Sequence, residues 1–470
     1  MSPAPALAPA PGFGRGAPLA LVATALDKLA VLGIALWLPR HLGLADYGHY
    51  TLVVALLAFF QSLPDGSIES VLVARLSRDE GAAARLAGAA VPVRAAVSAL
   101  CGVAGLAALG LASGESGLVV AGAPWALGLW IAAANPYRAL LRAELRLGRY
   151  LGVIAVQAAA TVSALVVVVR SGRGLGGVLA TGAIGAAAAL VAGRLLAGRG
   201  ARPHLDALLA RGLVRSATPL AATGLVLLGA QQLLAVVLLR THGADAVGLF
   251  GGAQRLVDAV NLLPQAVVVS LLPALARSGH ARAALRAAAD AARLLALLVA
   301  PLVVGLALWP RPALTVLLGA PFAAAAPVLQ VLATVALLAA SGQVLTALMI
   351  ASGRERLLFA VTAASAGVTA GLGLALVPPF GPLGSAAAAA GGMAAGQLGL
   401  VVLPATREAA LHVLGATARP LALGALAGAV ASLAAGGDPV RGPLAFAAAY
   451  LAAVAGAGGI SREQLVRWTR

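Results

Sequence analysis

Residues 95–137 read AAVSALCGVAGLAALGLASGESGLVVAGAPWALGLWIAAANPY, bounded by Arg94 and Arg138 and carrying a single charge, Glu115, in a Gly/Ser turn. A membrane crossing needs roughly 20 apolar residues, and arginine-rich connections stay on the cytoplasmic side. The stretch therefore reads as two crossings joined by a short outside turn, a hairpin that leaves the cytoplasm and returns. The pattern recurs. Arginines gather at Arg75, Arg78, Arg85 and Arg94, then at Arg138, Arg142, Arg146 and Arg149. Further clusters are Arg194, Arg199, Arg202, Arg211 and Arg215, and Arg277, Arg282, Arg286 and Arg293. Arg354 with Arg356, Arg407 with Arg419, and Arg462, Arg467 and Arg470 complete the series. With Arg15 before the first interval, seven hairpins predict an all-α polytopic membrane protein of about 14 transmembrane helices, both termini cytoplasmic.

The composition agrees. Hydrophobic residues make up 61% of the 470 positions and charged residues only 10%, and the mean hydropathy of +0.97 excludes an ordinary soluble enzyme. A net charge of +17 would suggest a nucleic-acid partner in a soluble chain. Here the basic residues concentrate on one side. Only Arg40, Arg170, Arg173, Arg240, Arg311 and Arg441 fall in expected outside loops, and only Lys28 and Arg255 are counted within spans. Topology therefore explains the charge, and no nucleic acid is expected. Arginine far outnumbers lysine amid abundant Ala and Gly, as in GC-rich bacterial genomes, which points to a bacterial cytoplasmic membrane. The single Cys101 permits no intrachain disulfide. The six histidines are scattered without ligand spacing, so no metal site is expected.

The expected organisation is a disordered cytoplasmic tail over 1–17, an N-terminal lobe over 18–196 with spans one to six, and a cytoplasmic linker over 197–215. A C-terminal lobe over 216–404 follows with spans seven to twelve, and 405–470 holds spans thirteen and fourteen and a cytoplasmic tail. An internal repeat supports the division. Gly43, Gly48, Tyr50, Leu63 and Pro64 recur as Gly243, Gly248, Phe250, Leu263 and Pro264, a constant offset of 200 that makes the second span equivalent to the eighth. A looser echo relates Gly148-Arg149 to Gly353-Arg354. Six spans followed by six similar spans is a transporter-like arrangement.

Ionisable groups inside spans are functional pointers, because each costs about 2.5–3.5 kcal/mol at mid-helix on insertion scales. Asp27 and Lys28 lie in the first span, Asp65 and Glu69 in the second, Arg255 and Asp258 in the eighth. Gln61, Asp65 and Glu69 share one helix face, as do Arg255, Asp258, Asn261 and Gln265. Gln61 and Asn261 occupy equivalent repeat positions, and Gln231, Gln232, Gln343 and Asn135 are further polar candidates. Pro64 and Pro264 are expected to kink their helices. Arg255 and Asp258, three residues apart, can simply neutralise each other. Alternatively, a cation facing a cavity suits a phosphate diester or pyrophosphate, because a guanidinium presents several donors to phosphate oxygens.

Several motifs carry a resemblance. Residues 38–50, LPRHLGLADYGHY, are similar to the loop after the first span in polysaccharide-biosynthesis flippases. Val247-Gly248-Leu249-Phe250 with Ala253-Gln254-Arg255-Leu256 resembles their Val-Gly-x-Tyr and Ala-x-Arg-Leu pattern, and Phe250 departs from the usual Tyr. Residues 271–276, LLPALA, and 377–386, VPPFGPLGSA, resemble two further motifs, with Ser385 replacing an Ala in the second. The family belongs to the multidrug/oligosaccharidyl-lipid/polysaccharide exporter superfamily. The resemblance implies two six-helix lobes around a central cavity, a MATE-like fold, plus two C-terminal helices. It implies alternating access that carries polyprenyl-pyrophosphate-linked oligosaccharide from the cytoplasmic to the outer leaflet, with polysaccharide polymerase or export proteins as partners.

On that reading Arg255 and Lys28 meet the pyrophosphate, while Gln61, Asn261, Gln265 and Gln231 meet sugar hydroxyls. Asp258, Asp65, Glu69 or Asp27 would bind the H+ or Na+ that resets the cycle. No other cofactor is expected, and the protein is expected to be a transporter rather than an enzyme. Two readings from the same superfamily stay open, a multidrug and toxin extrusion antiporter and a lipid II flippase. A membrane glycosyltransferase or polymerase would need a sizeable outside loop with acidic groups, and none of the expected loops is long enough.

Overall fold

The computed structural model describes residues 26, 30–76, 83–198, 203–277, 281–435, 438 and 441–456, without the side chains of some of them, among them Asp65 and residues 268–277. Asp27, Lys28 and most of the expected first span lie outside these residues. The described chain is helical, without a strand. Its elements are α1 (Pro39–Gln61), a π-helical turn (Ser62–Ile68), α2 (Glu69–Leu76), α3 (Ala83–Ser113), α4 (Ser116–Ala134), α5 (Tyr137–Ala143), α6 (Leu147–Arg170) and α7 (Gly174–Ala197). There follow α8 (Ala207–Arg277), α9 (Ala281–Leu308), α10 (Pro310–Leu317), a 3-10 turn (Ala320–Ala325), α11 (Ala326–Ala351), α12 (Glu355–Val402), α13 (Pro404–Ala435) and α14 (Arg441–Gly456).

Ten helical stretches are long and apolar enough to cross a membrane among the described residues. Two of them, Gly224–Gln265 with 42 residues and Glu355–Val402 with 48, exceed what one crossing of a bilayer core about 30 Å thick needs. Each contains a glycine outside helical geometry, Gly243 (φ 78°) and Gly381 (φ 57°), so each holds two crossings. L-residues with a side chain rarely adopt that backbone, and glycine does so at little cost. The breaks fall in the expected outside loops around 240–246 and 378–383. Arg441–Val454 is a shorter apolar helix.

Two compact units divide the chain. One comprises His49–Leu228 and the described part of Met1–Ala35; the other comprises Leu36–Gly48 and Gly229–Arg470. In the first, α7 packs on α6 and α4, and α3 packs on α4. The α4–α7 approach is close enough that a Cβ on Gly128 would come within 2.8 Å of the Ala183 nitrogen. Helices in lipid associate through such small-residue contacts, because burying apolar surface gains little where the solvent is itself apolar. In the second unit α9 packs on α11 and α13, α11 on α12, and α13 on α14. The last two helices are thus anchored on α9. The Tyr450 hydroxyl donates to the Leu297 carbonyl at 2.8 Å, and Gly442 fits beneath the Trp309 indole.

The 200-residue repeat is visible in the backbone. Gly43 and Gly243 have nearly the same torsions, φ 76°, ψ 176° and φ 78°, ψ −177°. Within the second unit the two loops cross at their glycines. A Cβ on Gly48 would strike the Ala244 carbonyl oxygen, and one on Gly248 would strike the Leu44 carbonyl oxygen. These four positions are themselves related by the offset of 200. The prolines diverge, however. Pro64, which lacks an amide proton and clashes with the preceding turn, sits in the π-helical turn, whereas α8 runs through Pro264 with Gly243 as its only non-helical residue. The expected kink therefore takes the form of a π-helical turn in the second span, and no such turn occurs in the eighth.

The second echo changes register. Leu145 (φ 54°) and Gly353 (φ 68°) are the left-handed residues closing α5 and α11. The next amides, Arg146 and Arg354, each donate to the carbonyl five residues back, at 2.9 Å. The Arg146 guanidinium then donates to the Ala197 carbonyl, and that of Arg354 to the Ala405 carbonyl. The structural counterpart of Gly353-Arg354 is therefore Leu145-Arg146, at an offset of 208, and not Gly148-Arg149. The same offset pairs the Thr161–Gln157 hydrogen bond with the Thr369–Ser365 one.

Candidate functional site

The polar residues read from the sequence fall into two groups, one in each unit. In the first, the reach from α1 to α2 passes through the π-helical turn and brings Gln61 and Glu69 against α3. Gln61 is 2% exposed. Its amide nitrogen donates to the Ser98 carbonyl at 3.0 Å, and its amide oxygen accepts from the Ser98 hydroxyl at 2.8 Å. This reciprocal pair satisfies a buried amide, as the low-dielectric interior demands. A sugar hydroxyl would reach Gln61 only after that pair opens.

Glu69 binds two guanidiniums. Arg94 Nη2 approaches one carboxylate oxygen at 2.8 Å and Arg142 Nη1 the other at 3.2 Å. The Arg94 side chain is 2% exposed and that of Arg142 is 47% exposed. Arg94 also donates to the Asn135 carbonyl at 3.5 Å, and the Asn135 side-chain oxygen caps the start of α5 by accepting from the Tyr137 amide at 3.0 Å. A buried charge needs a partner and further hydrogen bonds to offset its lost hydration. Arg94 has both. The guanidinium of Arg142 in turn lies 6.0 Å from the Tyr150 ring centroid. Sequence reasoning counted Arg94 with a cytoplasmic arginine cluster, whereas it lies inside α3, well past the first turns. The sequence places Arg94 at the edge of the apolar run that starts at residue 95, and α3 extends that helix back to Ala83.

In the second unit Gln254, Arg255 and Asp258 form one cluster on α8. Gln254 donates to one Asp258 oxygen at 3.0 Å, and Arg255 approaches the other at 3.6 Å. The Arg255 and Asp258 side chains keep 27% and 46% exposure, so this pair is accessible in a way that Arg94 is not. Asn261, one turn further on, has a buried side-chain oxygen without a hydrogen-bond partner. Gln231 and Gln265 are exposed. Among the described residues no group of three metal-ligating side chains occurs. The arrangement offers a guanidinium, a carboxylate and amides on one helix face, groups suited to recognising a polar ligand within a membrane.

Apolar helices of crossing length, two of them broken at a glycine, and charged side chains within them define a multi-pass membrane protein. A sequence profile of the polysaccharide biosynthesis protein family matches residues 37–327. The chain belongs to that family. Solved structures agree on the fold. The lipid II flippase MurJ in an inward closed conformation matches with 12% identity and a TM-score of 0.69, covering 93% of this chain and 97% of that one. An inward-facing multidrug resistance MATE family transporter of the MOP superfamily matches with 15% identity and a TM-score of 0.63, over 84% of this chain and 98% of that one. An outward-facing MATE transporter matches with a TM-score of 0.56. A search of the curated proteins gives no match.

Proposed function

We propose that the chain is a flippase carrying a polyprenyl-pyrophosphate-linked oligosaccharide from the cytoplasmic to the outer leaflet by alternating access. The observation that carries the reading is Arg255. It lies in the family-matched region, on an intramembrane helix, exposed enough to exchange Asp258 for a pyrophosphate oxygen. Asn261, with its partnerless amide oxygen, and the exposed Gln265 would take sugar hydroxyls along the same α8 face. Asp258, giving up Arg255 to the incoming phosphate while keeping its hydrogen bond from Gln254, would take up H+ or Na+.

The test is a flipping assay in sealed proteoliposomes loaded with such a lipid, read as protection from an external sugar-modifying reagent. Arg255→Ala should slow exchange by roughly tenfold or more, the scale of one lost charge-assisted hydrogen bond. Normal exchange in that variant would remove Arg255 from the mechanism. The exposed intramembrane carboxylate of Asp258 also fits a cation-coupled drug antiporter, the second reading. Cation-driven dye efflux without lipid exchange would establish it instead.

A further inference from the structure

Unit one carries cations that its repeat partner lacks. At the offset of 208, Arg146 and Arg354 hold equivalent places and so belong to the shared scaffold. Four other residues do not recur. Tyr137, Arg149, Gly193 and Arg194 correspond to Leu345, Leu357, Val401 and Val402. The fold forms without them in unit two, so they are not there to close the turn.

In unit one they converge on the last turn of α7. Arg194 Nη1 donates to the Tyr137 hydroxyl oxygen at 3.4 Å. Arg146 and Arg149 reach the Ala197 and Leu196 carbonyls from α6 and its entry, each at 3.1 Å. Gly193 makes room for the phenol, since a Cβ there would stand 2.8 Å from the Tyr137 Cβ. Tyr137 is 4% exposed, and its own O–H proton has no acceptor among the described residues. Arg194 has one long bond to a neutral oxygen and no carboxylate partner among them. Glu144 neutralises Arg146 alone, at 3.0 Å. The corner is thus an excess of donors awaiting an acceptor with several oxygens and a negative charge. On α7, Arg194 adjoins exposed Leu195 and lies one turn from exposed Val191, an apolar surface of a membrane-spanning helix.

We propose that the Tyr137–Arg194 corner binds the phosphate headgroup of an anionic phospholipid in the leaflet bordering the arginine-rich ends of the helices, with acyl chains lying along Val191 and Leu195. Basic pockets between membrane helices at that depth recognise such headgroups. The Tyr137 hydroxyl and the Arg194 guanidinium donate to the phosphate oxygens, and Arg149 adds long-range attraction.

Delipidated full-length protein is titrated in detergent with phosphatidylglycerol or phosphatidylcholine, and bound lipid is counted by native mass spectrometry. Wild type should bind phosphatidylglycerol more tightly. Arg194→Gln should weaken that binding roughly tenfold and Tyr137→Phe, which keeps the ring, roughly threefold. Arg215→Gln removes the same charge from another exposed position and should change little. Equal binding by wild type and Tyr137→Phe, or an equal loss in Arg215→Gln, would overturn the site. Displacement of the lipid by millimolar inorganic phosphate would overturn the phospholipid assignment in favour of a free anion.

Discussion

A buried arginine is costly in a membrane interior, and Arg94 shows how this chain contains the cost. Glu69 neutralises it, Asn135 accepts from it, and Arg142 completes the bridge toward the exposed end of α5. Removing one partner of such a pair leaves the other charged and dry, at about 3–5 kcal/mol. Glu69→Ala should therefore lower the thermal midpoint in detergent by many degrees, and adding Arg94→Leu should recover most of it. A double variant no better than the single one would show that the cluster's packing, not its charge, matters. Leu145 makes a smaller case. It is the one non-glycine residue at positive φ among those described, where the repeat has Gly353. Leu145→Gly should raise stability by about 1 kcal/mol, because the left-handed conformation strains any residue with a side chain; an unchanged or lower melting midpoint would contradict this.

At the scale of elements, glycines decide where helices break and how closely they pass. Gly43 and Gly243 share torsions that send two equivalent loops across each other, and Gly48 and Gly248 mark the crossing. No neighbour can yield there, because the obstacle is backbone. Gly248→Ala should reduce folded protein in the membrane several-fold, read by fluorescence-detected size-exclusion chromatography. Gly224→Ala, with nothing within 4 Å of the new carbon, should be neutral or slightly favourable. The repeat was legible here in the sequence because glycine leaves few alternatives at such positions. The register of the later echo was not, because a leucine occupies the turn where its counterpart has glycine.

Across the whole molecule, hairpin topology makes a sided prediction. With Cys101 replaced by Ala, a cysteine at Glu115 should react with an impermeant maleimide in intact cells, while one at Arg286 should react only after permeabilisation. The opposite pattern would invert the orientation read from the arginines. α13 and α14 bear on the fold as well. They seat on α9 through Tyr450, Phe446 and Trp309. Tyr450→Phe should remove a buried hydrogen bond worth about 1 kcal/mol and lower the melting midpoint slightly, a shift that would be absent if α14 were merely peripheral.

The sequence by itself determined the membrane class, the breaks around 240–246 and 378–383, the pseudo-repeat around Gly43 and Gly243, and the α8 cluster of Arg255 and Asp258. Apolar run length, arginine placement and helical spacing are local properties, readable without knowing what packs on what. Tertiary structure alone decided which polar groups meet. Gln61 meets Ser98 across 37 positions, Glu69 meets Arg142 across 73, and Arg194 meets Tyr137 across 57. These pairings depend on which helix lies beside which and at what rotation, and the apolar composition common to all the spans leaves that choice to small-residue packing. The desolvation of Arg94, invisible in a list of charges, follows from the same packing.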